Sequence, residues 1–184
     1  MQIEGVRKST GDSVPDIEAE IEKRRVKMAY SITDVLEGVK KSRAFFLKHL
    51  KDVTDDQWSW KPYVECKSLN ETLAHLILDD RMALYSLETG KEPDYEANLV
   101  VETDKDKLIE MLHDSHETLV NYIANRFKDA PLDVEAHAWG APMKLAEAIG
   151  YLSSEDYYHS GQAGFIRMAT DPTWNYYENI YSGD

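Results

Sequence analysis

Apolar residues recur at three- and four-residue spacings along most of the chain, a period that predicts amphipathic helices. The first strong run spans about Ser31 to Leu50, with Ile32, Val35, Leu36, Val39, Phe46, Leu47 and Leu50 on one stripe behind a weak Ser31/Asp34 capping box. From Asp52 to Glu65 the period is lost while Trp58, Trp60 and Pro62 remain, which predicts a loop carrying large apolar groups. Ser68-Leu69-Asn70-Glu71 is a regular capping box opening a second helix, with Leu73, Leu76, Ile77, Leu84 and Leu87 inward and a stop near Gly90 and Pro93. After an acidic connection over residues 89–102, a third helix runs from about Thr103 to Phe127, striped by Leu108, Met111, Leu112, Leu119 and Ile123. Asp133 to Pro142 is irregular, with room for a short hairpin, and a fourth helix follows from about Lys144 to Met168 with Leu145, Ile149, Leu152 and Ile166 inward.

Four such helices with little strand signal predict an all-α four-helix bundle over residues 31–184. Residues 1–30 read as a separate N-terminal arm. Its first half is polar and aperiodic, with Gly5, Gly11 and Pro15, and residues 16–29 are expected to form a charged helix. No repeat at a solenoid period is present.

Composition narrows the function classes. Apolar residues make up 42% and aromatics 10% of the 184 residues, enough for a packed core despite 30% charged residues. The chain has 34 acidic and 21 basic side chains and a formal charge of −13. The arm is neutral, so the whole excess lies in residues 31–184. Nucleic-acid binding draws its affinity from Lys and Arg on phosphates, so neither nucleic acid nor an anionic membrane is expected as a partner. The single cysteine, Cys66, excludes an intramolecular disulfide. With no secretory h-region and no membrane-length apolar run, a cytoplasmic protein is expected.

The candidate chemistry lies on the second and fourth helices. His75 falls on the inward stripe beside Leu73 and Leu76. Glu155 and His159, four residues apart, share the face that runs from Ile149 and Leu152 to Gln162 and Ile166. Burying a carboxylate and an imidazole costs several kcal/mol unless they are paired, protonated or bound to a cation. If the two helices are neighbours, two histidines and one carboxylate converge as a divalent-metal site able to do Lewis-acid chemistry. The bland alternatives are a hydrogen-bonded core histidine and a surface Glu–His pair. The spacing is not the His-Glu-x-x-His of zinc proteases.

The run Glu155-Asp156-Tyr157-Tyr158-His159-Ser160-Gly161-Gln162 resembles the DinB/YfiT-like family of metalloenzymes. So do the Trp58-x-Trp60-Lys61-Pro62 segment before the His75 helix and the Trp139-Gly140-Ala141-Pro142-Met143 turn before the last one. The likeness covers about residues 34–170. It implies an up-down-down-up bundle, a homodimer, and a divalent ion held by three histidines, one on helix two and two spaced by four on helix four. His75 and His159 match the first and third ligands, and Glu155 stands where the family usually has its second histidine. A carboxylate there shifts preference from zinc or nickel toward manganese or iron.

Around this site, Gln162 is a candidate catalytic residue that orients a bound water or ligand, or else a helix-packing amide. Asp79 is a fourth ligand, a partner fixing the His75 tautomer, or a solvated acid. Gly161 is expected to admit a neighbouring helix, and Tyr158 and Trp139 to wall a pocket or fill the core. A rival metal set is His113, His116 and Glu117 on helix three, with no third ligand from a second helix. His49 and His137 read as surface or loop residues, and Cys66 as inert or as a thiolate at a helix start. Two function classes follow. One is a metal-dependent enzyme acting on a small molecule, for which the resemblance suggests a thiol-dependent transferase or a hydrolase. The other is a catalytically silent bundle used for binding or dimerisation.

Overall fold

In the computed structural model, which describes residues 30–182 together with Glu18, the helices start at side-chain caps. Ser31 accepts from the Asp34 amide, and the Asp34 carboxylate accepts from the Ser31 amide, opening α1 (Ile32–Lys48). Thr54 and Gln57 make the same reciprocal pair ahead of α2 (Asp55–Ser59). The segment expected to be a loop therefore holds a short helix, and its buried Trp58 anchors it to the core. Five residues are too few turns for a helical period to show.

Ser68 and Glu71 cap α3 (Leu69–Thr89), and Gly90 ends it at φ 67°, a left-handed conformation that glycine adopts without a Cβ penalty. A 3₁₀ turn at Glu96–Asn98 interrupts the acidic connection. Asp104 caps α4 (Lys105–Arg126). Then come an antiparallel hairpin, β1 (Glu135–Ala138) and β2 (Ala141–Lys144), the 26-residue α5 (Leu145–Thr170), and a short α6 (Tyr176–Tyr181). Ala138 faces Ala141 across a two-residue turn, with Trp139 at φ 49° and Gly140 at φ 81°. Positive φ at both central residues is the hairpin pattern that favours Asn-Gly, so the Trp139 backbone carries roughly 1–2 kcal/mol of strain. The Gly140 amide donates to Ser86 Oγ at 2.8 Å, which ties the turn to α3.

Two core clusters give the helix directions. One gathers Ile32, Leu36 and Val39 from the start of α1, Leu119 and Ile123 from the end of α4, and Leu145 and Ile149 from the start of α5, with Ala83 from the later part of α3. The other gathers Phe46 from the end of α1, Leu73 and Ile77 from the start of α3, Leu108 and Leu112 from the start of α4, and Ala163 and Ile166 from the later part of α5. The bundle therefore runs up, down, down, up. Each such leucine or isoleucine, fully removed from water, contributes about 1.5–3 kcal/mol. Among the described residues no helix is long and apolar enough to cross a membrane.

The middle of the bundle is polar. Arg43 of α1 donates from Nε to Asp156 of α5 at 2.7 Å and from Nη1 to Asp80 of α3 at 3.0 Å, all three side chains being nearly inaccessible. Ser42 Oγ closes on Asp156 and Ser115 Oγ on Asp80. A guanidinium held between two carboxylates meets the requirement that buried charge be paired and hydrogen-bonded.

Two expectations are corrected here. His49, read as a surface or loop residue, sits in the turn that ends α1 but is fully buried, with Nδ1 3.0 Å from the Phe45 carbonyl and its ring against Tyr176. That contact depends on the tail helix α6, which the helix-one stripe does not announce. At Gly161 a Cβ would meet nothing within 4 Å, so no close helix approach requires that glycine. The crowded glycine is Gly164, where a Cβ would lie 3.2 Å from the Tyr176 ring. Of the expected arm, only Glu18, in helical conformation, and Tyr30 fall within the described residues.

Candidate metal centre

α3 and α5 meet where their polar positions interrupt the apolar stripes. His75 lies in the second turn of α3, and Glu155 and His159 lie one turn apart near the middle of α5. His75 Nε2 is 3.5 Å from Glu155 Oε2, and His159 Nε2 is 3.4 Å from the same oxygen. The two imidazole rings stand 5.1 Å apart between centroids at 71°. Among the described residues this is the one group of three metal-competent side chains whose ligand atoms all lie within 4.8 Å of one another. Ligands about 2.1 Å from a tetrahedral ion are separated by about 3.4 Å, so both contacts match an edge of such a shell.

The protonation pattern suits a cation. His159 is 2% exposed, and its Nδ1 lies 2.7 Å from the Gln162 amide oxygen. That oxygen can only accept, so Nδ1 carries the proton and Nε2 presents a lone pair to Glu155 and His75. His159 Nε2 is buried with no hydrogen-bond partner among the described residues. An orphaned buried acceptor is costly, and an ion at that point would satisfy it. Burial, more than any neighbour, holds the His159 pKa below its ordinary value, so the ring stays neutral as a metal ligand must.

Asp79, one turn after His75, places Oδ2 3.9 Å from His75 Nε2, beyond hydrogen-bond reach. Burial first, then repulsion from Glu155 and Asp80, raise its pKa to about 6 against the pull of His75. Burial first, then the Glu155 carboxylate one turn further along α5, holds the Tyr151 phenol above the usual range.

Two cavities lie near the cluster, one reaching it through Asp79, the neighbour of His75, and the other through Gln162, the partner of His159. One, of about 410 Å³, is lined by Asp79, Tyr95, Trp139, Met143, Glu147 and Tyr151. The other, of about 340 Å³, includes Tyr63, Cys66, Lys67, Tyr158, Gln162 and Phe165 in its walls. Trp139 and Tyr158 thus each wall a pocket, and the half-buried Cys66 lines one. Gln162 faces both a cavity and His159, and its amide oxygen is committed to the imidazole.

The rival set on α4 does not assemble. His113 sits 3.8 Å from Glu117 as an exposed pair, while His116 turns inward with Nδ1 4.0 Å from Asp80 Oδ2. The Arg43–Asp80–Asp156 network went unread in the sequence. Its signal was available, since Arg43 falls on the α1 stripe between Val39 and Phe46, and Asp156 follows Leu152 by one turn on α5.

A comparison with curated proteins gives no match. A family model described as the DinB superfamily matches residues 39–163, a span that contains His75, Glu155 and His159.

Proposed function

The chain belongs to the DinB superfamily, and from that premise we propose that residues 31–184 are a divalent-metal-dependent enzyme domain acting on a small molecule, with His75, Glu155 and His159 as the protein ligands. The observation that carries this is His159 Nε2, buried, lone-pair-bearing and unpartnered among the described residues, 3.4 Å from a carboxylate oxygen that also reaches His75. Two imidazoles and one carboxylate suit zinc, nickel, manganese or iron, the carboxylate favouring the harder ions.

When bound, the ion would supply Lewis acidity toward an oxygen or sulfur group of the substrate. The chain's own residues do the rest. Gln162 holds the His159 proton at Nδ1, and Asp79 adds negative charge beside His75. The two cavities offer room for two parts of a substrate, which fits a two-substrate transfer, such as one using a small thiol, as well as hydrolysis.

A silent bundle is the competing reading, because Glu155 lies close enough to bridge both imidazoles without an ion. Metal analysis of protein purified without a histidine tag separates the two. The enzyme reading expects about one equivalent per chain in the wild type and a loss of most of it in His75→Ala and in Glu155→Gln. Equal, negligible metal in all three would overturn it.

A further inference from the structure

The larger cavity beside the cluster has walls that metal binding leaves unused. Of its six lining residues, three are aromatic, two are carboxylates, one is a thioether and none is basic. Trp139 and Tyr151 meet edge to face, centroids 4.9 Å apart at 63°, so their faces form a corner. Tyr95 adds a third ring, and Asp79 and Glu147 bring negative charge. With two carboxylates and no basic side chain in its walls, the cavity carries negative charge.

The backbone gives an independent pointer. Trp139 occupies a positive-φ turn position that Asn or Gly would fill without strain. Strain of this kind persists where the side chain it delivers is needed. The anchor at Ser86 and the close passage of Glu92, whose Cα would lie 3.1 Å from a Cβ at Gly140, fix the turn that carries the ring.

We propose that this cavity is a subsite for an organic cation, an alkylated ammonium group of the substrate seated against Tyr95, Trp139 and Tyr151 with Asp79 and Glu147 as counter-charges. Aromatic faces attract a diffuse cation through their quadrupoles and solvate its methyl groups, which a bare metal ion would not use. A primary ammonium would seek three acceptors, whereas an alkylated one needs apolar faces and nearby negative charge, and this cavity supplies both. The subsite deepens the enzyme reading, since Asp79 lines the cavity and also neighbours His75.

The test is calorimetric titration of the full chain with choline chloride and with its uncharged isostere 3,3-dimethylbutan-1-ol, at fixed ionic strength, on both EDTA-treated and metal-loaded protein. Saturable choline binding on the order of millimolar is expected, with the isostere at least about tenfold weaker and Tyr151→Leu losing about tenfold. Equal binding of the isostere, an unchanged Tyr151→Leu, or no saturable choline binding would overturn the subsite. The isostere comparison decides on wild-type protein even if the variant misfolds. Metal content is read separately. Protein that loads metal without preferring choline refutes only the cage, and protein that prefers choline without loading metal refutes only the metal centre.

Discussion

Gln162, three residues after His159, settles which imidazole nitrogen faces the cluster, because its amide oxygen at 2.7 Å leaves the proton on Nδ1 and the lone pair on Nε2. At the same scale Arg43 holds the centre of the bundle. Arg43→Met is expected to cost about 3–5 kcal/mol in urea unfolding near neutral pH, since it leaves two buried carboxylates without their cation. The sign of its pH dependence follows from Asp80. Burial pushes that carboxyl up, but Arg43 and His116 outweigh it and hold it below the ordinary 3.8. Its stabilising contribution is thus complete above 3.8 and is lost as pH falls through the lower folded value. The cost of Arg43→Met should shrink as the unfolding series is taken down to about pH 3; a constant cost would contradict this assignment. His75, Glu155 and His159 were legible as polar residues on apolar stripes, a purely local pattern. Arg43 and Asp156 carry the same local signal on the stripes of α1 and α5, but their pairing with partners 37 and 113 residues away comes only with the folded bundle.

The hairpin is the element that links the scaffold to the larger cavity. Its register places Trp139 and Gly140 in the turn, and the Gly140 amide is fastened to α3 through Ser86. Gly140→Ala would force a Cβ into φ 81° and to within 3.1 Å of the Glu92 backbone. We expect a loss of about 1–3 kcal/mol, read as a lowered thermal midpoint; an unchanged midpoint would mean that the turn is not fixed in this way. The long helices were readable from their stripes and caps, and Ser68 with Glu71 marks the start of α3 to the residue. The short helix at Asp55–Ser59 and the hairpin were harder, one too brief to display a period and the other built from four-residue strands whose pairing is set by a turn.

Across the whole molecule, the up-down-down-up order brings α3 and α5 together, and with them a histidine and a Glu–His pair separated by 80 positions (75 to 155) in sequence. That convergence is a property of the bundle, and no window of sequence contains it. Against a formal charge of −13, only a few acids turn inward: Glu155 and Asp79 at the His75–His159 cluster, and Asp80 and Asp156 around Arg43. The most direct test is an anomalous-difference map from crystals of untagged protein grown with zinc or manganese. The account predicts a peak within about 2.0–2.2 Å of His75 Nε2, Glu155 Oε2 and His159 Nε2. A peak elsewhere, or none while the three side chains keep their 3.4 and 3.5 Å contacts, would contradict it.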